Sequence, residues 1–287
     1  MLNRAGEDVL TAVIATYGLR ASLSEDAKYC GDWKDIEPAS TRAYLHLIDR
    51  GRCLMSGPFS KQPVLLESGD FIVLPHGAPH DLCSCPGAGR DEYTTMLCGN
   101  VEFVHGARNP LLKALPELIL VRAAEGGERF RHLGQLLCAE IGGGGFGGRA
   151  VVDKLADALF IMAVRHYVDS APEPTGLIAA LLDARLCKAL SAIHADPGSD
   201  WTVAGMAAVA GMSRTAFTLR FGEMLGQSPI QYLTHWRMAQ AETLLQDSRQ
   251  SVRGVAEQLG YQTEAAFRRC FKRIHGYGPG QVRRLAT

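Results

Sequence analysis

The spacing of apolar positions changes along the chain and predicts two structural regions. Short runs that alternate in the manner of β-strands occupy residues 43–49, 64–66, 71–74 and 94–105, with Gly, Pro and Asp between them. Closely spaced short strands are typical of a small barrel or sandwich. From Leu177 onward this alternation disappears, and helical spacing continues to the C-terminus. The pattern therefore predicts an α+β protein, with a sheet-rich N-terminal region followed by an all-α C-terminal region.

Two stretches between these regions interrupt regular structure. Residues 142–148 are almost all glycine, which disfavours helix and strand, and residues 170–176 contain two prolines. Apolar residues recur at helical spacing over residues 149–168, and they cover more than one side of that helix. It therefore either packs on the N-terminal barrel or forms a subunit interface. The predicted boundaries are a sensor domain at 1–141, a linker with a candidate dimerisation helix at 142–176, and a helical domain at 177–287.

The helical region contains an internal duplication with a period of about 50 residues. Four pairs share an offset of 50: Phe217 with Phe267, Phe221 with Phe271, Gly226 with Gly276, and Pro229 with Pro279. In each copy a small residue, Ala207 or Ala256, precedes a glycine-containing turn and a helix with Phe at positions i and i+4. The small residue permits close helix crossing, and the two Phe rings anchor the second helix. Each copy thus predicts a helix-turn-helix, with Ser213 and Thr263 as N-caps of the second helices.

The outward faces of the two second helices are the candidate DNA-reading surface. In the first copy this face carries Arg214, Thr215, Thr218 and, at its margin, Leu219; in the second it carries Glu264, Ala265, Arg268 and Arg269. Arg can bind guanine in a bidentate manner, and Thr can contact a thymine methyl or a phosphate. Further basic residues are expected to hold the DNA backbone, namely Arg220, Lys272, Arg273, Arg283 and Arg284.

Charge and composition agree with a nucleic-acid partner. The chain has 30 Lys+Arg and 30 Asp+Glu, but from Leu181 onward 13 basic residues face 8 acidic ones, a net charge of +5. This asymmetry favours a polyanion-binding module on an acidic carrier, although a helical bundle with solvated arginines is the alternative. No apolar run approaches the ~20 residues of a membrane span, and Met1–Leu10 lacks a secretory signature. The expected compartment is the cytoplasm, where the eight cysteines would stay reduced.

The helical region resembles a known family. The run from Trp201 through Met-Ala-Ala-Val-Ala-Gly-Met-Ser-Arg-Thr-Ala-Phe217, and the run Val-Ala-Glu-Gln-Leu-Gly-Tyr that starts at Val255, are similar to the AraC/XylS transcription regulators of bacteria. The resemblance covers about residues 177–285. It implies two helix-turn-helix units, joined by a long helix at 230–245, that bind successive major grooves of a double-stranded DNA operator. It also implies a homodimer with RNA polymerase as a partner, and Arg283 in the place of the family's terminal Arg. An activator is expected, with a repressor as the open alternative.

The N-terminal region resembles the cupin-type sensor domains of the same family. Gly69-Asp-Phe-Ile-Val-Leu-Pro-His-Gly-Ala-Pro-His80 matches the second cupin motif, and the run from Tyr44 to Gly51 resembles the opening of such domains. The first cupin metal motif, His-x-His with a downstream Glu, is absent, because His46 stands alone there. The resemblance therefore implies a binding cupin; a cupin enzyme, which needs three or four converging metal ligands, is the less favoured alternative.

Several donors in this region leave three interpretations open. His46, His76, His80, Cys83 and Cys85 supply enough nitrogen and sulfur donors for Zn²⁺, although Cys-x-Cys is not the usual ligand spacing. In the structural alternative, His80 hydrogen-bonds inside the barrel and His76 is exposed. In a third reading, the barrel binds a small organic effector near His46 and His80.

Six of the eight cysteines precede residue 142. Cys138, Cys187 and Cys270 are expected to be small buried hydrophobes. Cys30-Gly-Asp-Trp33 and Met96-Leu-Cys98-Gly99 resemble segments of the reactive-chlorine-responsive activators of the family, which implies that Cys30 and Cys98 sense oxidant. A thiolate oxidised to a sulfenic acid would be trapped by the second cysteine as a disulfide, with Cys83 and Cys85 as alternative resolving thiols.

Overall fold

The computed structural model describes residues 4–87, 89, 92–103, 109–143, 145–171, 173–247 and 249–285. The chain divides into two compact units, one formed by residues 19–172 and the other by the residues up to 18 together with those from 173 onward. The first unit is rich in β-sheet and the second is helical, which confirms the predicted α+β class. Within the described residues, no helix combines the length and apolar character that a membrane crossing requires.

Nine strands form two antiparallel sheets in the first unit. The strands are β1 (Leu19–Cys30), β2 (Lys34–Glu37), β3 (Ala43–Arg50), β4 (Arg52–Ser56), β5 (Val64–Glu67), β6 (Phe71–Leu74), β7 (His80–Ser84), β8 (Tyr93–Phe103) and β9 (Ile119–Val121). One sheet has the order β1-β8-β3-β6-β9 and the other the order β2-β7-β4-β5. The four predicted strands are confirmed as β3, β5, β6 and β8, except that residues 104–105 lie outside the described residues. The other five strands were not predicted.

The two faces of the five-stranded sheet have different neighbours. Its inner face forms a core that includes Ile48, Ile72 and Met96 and is shared with residues of the second sheet. Its outer face is covered by helices α3 (Gly127–Gly143) and α4 (Gly148–Ser170), while the short helix α2 spans Pro110–Ala114. The predicted helix at 149–168 is α4, and its buried residues pack on its own sheet, the first of the two alternatives.

The first helix, predicted within a sensor domain at 1–141, belongs to the helical unit. Helix α1 (Arg4–Tyr17) groups with the C-terminal helices, not with the sheet-rich unit. Its apolar residues Val9, Val13 and Tyr17 are buried, and the Tyr17 ring lies 5.7 Å from that of Trp236. This helical stripe needs an apolar partner, which the helices after residue 176 provide.

The remaining helices confirm the predicted duplication. They are α5 (Gly176–Leu182), α6 (Ala184–Ala195), α7 (Val203–Val209), α8 (Arg214–Leu225), α9 (Pro229–Gln246), α10 (Val252–Gln258), α11 (Glu264–His275) and α12 (Val282–Leu285). The pairs α7–α8 and α10–α11 are the two helix-turn-helix units, and α9 joins them. In the two turns, the Met212 N–H donates to the Ala207 carbonyl and the Tyr261 N–H to the Ala256 carbonyl, both at 2.9 Å.

The caps of the two second helices are also equivalent. The Ser213 side chain accepts from the Ala216 N–H at 3.3 Å, and the Thr263 side chain accepts from the Ala266 N–H at 3.2 Å. Both N-cap predictions are therefore confirmed. Each helix ends at a glycine, Gly226 or Gly276, with a positive φ of 65° or 85° that favours glycine over other residues.

Candidate functional site

The second helix of each unit, α8 or α11, is called here its recognition helix and presents a polar face to solvent. Phe217 and Phe221 in α8, and Phe267 and Phe271 in α11, are fully buried. These rings fix the rotation of each helix about its axis, so that the residues between them face outward. The outward set contains the predicted residues Arg214, Thr215, Thr218, Leu219, Ala265, Arg268 and Arg269, all exposed, and the half-buried Glu264.

Two of the predicted arginines are engaged within the protein. Arg220 Nε donates to the Asp183 carboxylate at 2.6 Å. Arg268 Nε donates to Glu264 at 2.6 Å, one helical turn away. Among the described residues, by contrast, the side chains of Arg214 and Arg269 make no hydrogen bond or ion pair. Of the arginines predicted on α8 and α11 to face DNA, Arg214 and Arg269 are therefore the two whose guanidinium groups have no internal partner among the described residues.

Lys272 and Arg273 extend the basic character of α11 to its last turn. Both are exposed, and Arg273 also contacts the Cys270 sulfur at 3.7 Å. Arg284 is exposed on α12, whereas the Arg283 side chain lies outside what the structure describes. Positive side chains at a helix C-terminus complement the helix dipole as well as any phosphate nearby.

A second candidate site lies between the two sheets, formed by His46, His80 and Cys98 and called here the interior site. His46 is on β3, Cys98 is opposite it on β8, and His80 begins β7 of the other sheet. The His46 Nδ1 atom lies 3.3 Å from Cys98 Sγ, and its Nε2 atom lies 2.8 Å from His80 Nε2. All three side chains are buried. The structure thus brings together three predicted residues that are far apart in the sequence.

The hydrogen-bond partners determine the direction of every bond in the interior site. His80 Nδ1 lies 3.0 Å from the Ala78 carbonyl oxygen, which can only accept, so this nitrogen carries a proton. In a neutral His80, Nε2 must then accept, and His46 Nε2 must donate to it. The remaining nitrogen of His46, Nδ1, is consequently an acceptor for the Cys98 S–H.

The electrostatic environment keeps both imidazoles neutral. Burial, together with the neighbouring His80, lowers the pKa of His46 to about 3. Burial also lowers the pKa of His80, although the Ala78 carbonyl and the carboxylates of Asp35 and Asp81 act in the opposite direction. Near neutral pH the interior site therefore holds two neutral imidazoles, as its bond directions require.

A cavity of about 180 Å³ adjoins the interior site. Besides His46 and Cys98, its lining includes polar residues that sequence reasoning missed, Tyr29, Asp35 and Glu37. The Tyr29 hydroxyl donates to the Asp35 carboxylate. No motif or regular spacing within residues 29–37 singles out these three side chains.

The interior site does not fit a metal ion. Across the residues that the structure describes, no group of three or more His, Cys, Asp and Glu side chains is arranged to hold one. His46 uses different nitrogens toward Cys98 and His80, so that one ion cannot reach all three residues. Cys83 follows the inward-facing Leu82 on β7 and therefore points away from His80. His76 is exposed, and its Nε2 donates to the Leu115 carbonyl at 3.0 Å.

The predicted pairing of Cys30 with Cys98 conflicts with the strand register. Cys30 on β1 is opposite Tyr93, whereas Cys98 is opposite position 25 of the same strand. Five residues of a β-strand span about 17 Å, and a disulfide requires Cα atoms within about 7 Å. The two thiols cannot be joined within this fold. Cys85 lies elsewhere, at a larger cavity of about 680 Å³ that Trp33, Arg52 and Tyr93 also line.

Comparison with known proteins assigns a family to each of the two regions. Residues 8–169 match the family described as Cupin, and residues 206–285 match a helix-turn-helix domain family. An HTH-type transcriptional regulator of Haemophilus influenzae is 29% identical, with 94% of this chain and 96% of that protein covered. A putative AraC-like transcription regulator of Streptomyces antibioticus is 28% identical, with 97% of each chain covered. The RCS-specific HTH-type transcriptional activator RclR of Escherichia coli is 25% identical, with 96% and 97% covered. The chain therefore belongs to the cupin family through residues 8–169 and is an AraC-type transcriptional regulator with a cupin domain.

Proposed function

We propose that this regulator binds a specific DNA operator and that its cupin domain senses reactive chlorine or a related electrophile through oxidation of Cys98. The observation that carries the proposal is the 3.3 Å contact between Cys98 Sγ and His46 Nδ1 beside the cavity. The named relative RclR, an RCS-specific activator, supports the same class of signal.

The interior site offers a path for the thiol proton. His46 Nδ1 accepts the proton of Cys98, and the proton on His46 Nε2 passes to His80. The resulting imidazolium of His80 has two N–H donors and lies near the carboxylates of Asp35 and Asp81. This arrangement resembles an activated nucleophile, in which a base is itself oriented by a third group.

The oxidation step then balances with hypochlorous acid as the oxidant. The Cys98 thiolate attacks the chlorine, the O–Cl bond breaks, and hydroxide leaves. Water hydrolyses the sulfenyl chloride to a sulfenic acid, with release of chloride and a proton. The sulfur loses two electrons, and the chlorine gains them.

On the DNA side, the exposed faces of α8 and α11 contact the operator, and Lys272 and Arg273 contact phosphates. We assign the protein a regulatory and not a catalytic function, with RNA polymerase as a partner and the cytoplasm as its compartment. For the homodimer, we propose a contact through the apolar residues left exposed around α3 and α4, which are Leu136, Phe146 and Val151.

A small organic effector is the second candidate signal. The cavity beside His46, where the sequence analysis placed such an effector, is smaller than the ~300 Å³ at the lower end of typical ligand pockets. The cavity of about 680 Å³ near Trp33, Arg52 and Cys85 is within the usual range. An effector would therefore bind there, with its aromatic part near Trp33 and an anionic group near Arg52.

The test combines thiol labelling and mass spectrometry with a DNA-binding assay before and after mild hypochlorite. The DNA probe is a duplex selected from a random library by the reduced protein. We expect Cys98 to be modified together with a change in DNA affinity, and Cys98→Ser to abolish the response. His46→Gln should slow modification about 100-fold because the proton acceptor is lost. Cys187→Ser, a buried cysteine of α6, is the matched control.

Two results would contradict oxidant sensing at this site. One is a Cys98→Ser protein that still responds to hypochlorite. The other is a wild-type protein in which oxidised Cys98 leaves DNA binding unchanged. A change in DNA binding on addition of a small aromatic acid, with all thiols intact, would support the effector alternative.

A further inference from the structure

The duplication places Leu219 in α8 and Arg269 in α11 at the same structural position. Each lies two residues after the first buried Phe of its helix, and the two residues are 50 positions apart in the sequence. Leu219 is 61% exposed, although it is a large apolar residue on the polar face of a helix. Arg269 is also exposed. Equivalent positions on the exposed faces of α8 and α11 therefore carry side chains of opposite character, one apolar and one charged.

The residues that precede Leu219 and Arg269 increase the chemical difference between the two positions. The Thr218 hydroxyl donates to the Arg214 carbonyl at 2.8 Å, which leaves its methyl group as the free part of the side chain. At the position equivalent to Thr218, Arg268 is paired with Glu264. At these positions the first unit thus offers adjacent apolar groups, whereas the second offers the guanidinium of Arg269, without an intramolecular partner among the described residues. The unpaired guanidinium of the first unit, Arg214, is at the position equivalent to Glu264.

The major groove contains a counterpart for each of these groups. Thymine carries a C5-methyl group that apolar side chains contact, and guanine presents two acceptors, O6 and N7, to a bidentate Arg. A leucine side chain contributes little binding free energy at a phosphate. Against a methyl group it contributes favourably, because apolar surface of both groups is removed from water. An unpaired Arg also retains all its donors for a base edge.

We propose that Leu219 and Arg269 are the specificity-determining pair of this regulator, with Leu219 reading a thymine methyl and Arg269 reading a guanine. The inference rests on the proposed DNA-binding function of α8 and α11. It assigns a thymine to the half-site under the first unit and a guanine to the half-site under the second. The DNA sequence bound by one protein chain therefore differs between the half-site under the first unit and the half-site under the second.

Selection from a randomised duplex library, followed by exchange of the two residues, tests the proposal. Wild type should enrich one thymine-bearing and one guanine-bearing half-site. Arg269→Leu should lose the guanine preference, and Leu219→Arg should replace the thymine by guanine. Lys188→Ala, an exposed residue of α6 that is remote from both recognition helices in sequence, is the control and should enrich the wild-type sequence.

A chemical variant of the DNA isolates the methyl contact. Replacing the selected thymine by deoxyuridine removes only the C5-methyl group and should weaken wild-type binding about fourfold. Leu219→Ala should bind the thymine and deoxyuridine duplexes equally well. Arg269→Ala should weaken binding to the selected duplex by about 10- to 100-fold.

The experiment distinguishes failure of the proposed DNA-binding function from failure of the assignment of Leu219 and Arg269. If wild type enriches no sequence, the DNA-binding function is contradicted. If it enriches a sequence that neither exchange alters, or if deoxyuridine costs nothing, only the assignment of Leu219 and Arg269 is overturned. Circular dichroism of each variant verifies folding, which we expect to be intact because both side chains are exposed.

Discussion

Arg220 donates from Nε to Asp183 at 2.6 Å and so joins the first recognition helix to the start of α6. The Asp183 side chain is nearly buried, and it also accepts from the N–H groups of Arg185 and Leu186. Burial acts to raise the pKa of Asp183, but the hydrogen bonds from Leu186 and Arg220 outweigh it and lower the pKa. Arg220 was predicted to hold the DNA backbone; in the structure its guanidinium is paired with Asp183.

Removing this arginine should therefore affect folding before it affects DNA binding. Arg220→Ala takes one partner from a nearly buried carboxylate, and we expect the free energy of unfolding to fall by about 1–3 kcal/mol. Urea titration followed by circular dichroism measures this. Arg214→Ala, on the same helix but without an internal partner, is the control and should unfold as wild type does. Wild-type stability of Arg220→Ala, combined with weaker binding to any DNA, would return Arg220 to the backbone-contact role.

A second buried carboxylate, that of Asp70, precedes the strand that leads to the Pro-His-Gly turn. Asp70 accepts from Arg122 Nη1 at 2.7 Å and from the Ala123 N–H at 3.0 Å, and it is 3% exposed. Asp70→Ala should lower the free energy of unfolding by about 1–3 kcal/mol, because the Ala123 N–H and the Arg122 guanidinium lose a shared, nearly buried acceptor. The exposed pair of Arg249 with Asp247 provides the control. Arg249→Ala should leave the urea midpoint unchanged, and equal effects of the two substitutions would contradict the role of Asp70.

The strand register predicts which disulfides can form. Peptide mapping of the folded protein after hypochlorite should reveal no Cys30–Cys98 bond within one chain, since the two positions are five residues apart on paired strands. The same treatment in urea should allow the bond, because the register is lost. Cys30→Ser should still show oxidation of Cys98. Recovery of the intramolecular bond from natively folded protein would mean that β1 and β8 separate during oxidation.

The helical unit should lose stability in mild acid because of His194. Its ring stacks on Trp236 with centroids 3.6 Å apart, and its Nε2 lies 2.7 Å from the Tyr232 hydroxyl. Burial lowers the pKa of His194 from 6.5 to about 3. Below pH 6.5, His194 is protonated in the unfolded chain but stays neutral in the folded chain until the pH approaches 3. The contribution of neutral His194 to the free energy of unfolding is therefore complete above pH 6.5. It is lost as the pH falls toward 3, at up to about 1.4 kcal/mol per pH unit.

Urea unfolding at several pH values between 7.5 and 4.5 measures this contribution. His194→Gln removes the titrating group, so its free energy of unfolding should decline less steeply with falling pH than that of wild type. His132→Gln, which alters an exposed histidine of α3, should retain the wild-type slope. Identical slopes for His194→Gln and wild type would show that His194 is not the group responsible.

The sequence by itself determined the parts of this protein that depend on neighbouring residues. The duplication, the turns at Gly211 and Gly260, and the caps Ser213 and Thr263 all follow from spacings of a few residues along one helix or turn. Such features depend on backbone geometry and local hydrogen bonds, which are encoded within a few positions. For that reason the recognition helices and most of their exposed residues could be predicted.

Tertiary structure alone decided which distant side chains meet. His46, His80 and Cys98 converge because three strands from two sheets adopt one register, and a shift of one residue would turn each side chain to the opposite face. Packing likewise assigned α1 to the helical unit and occupied Arg220 with Asp183. These outcomes depend on long-range burial and pairing, which no local pattern of hydrophobic and polar residues specifies.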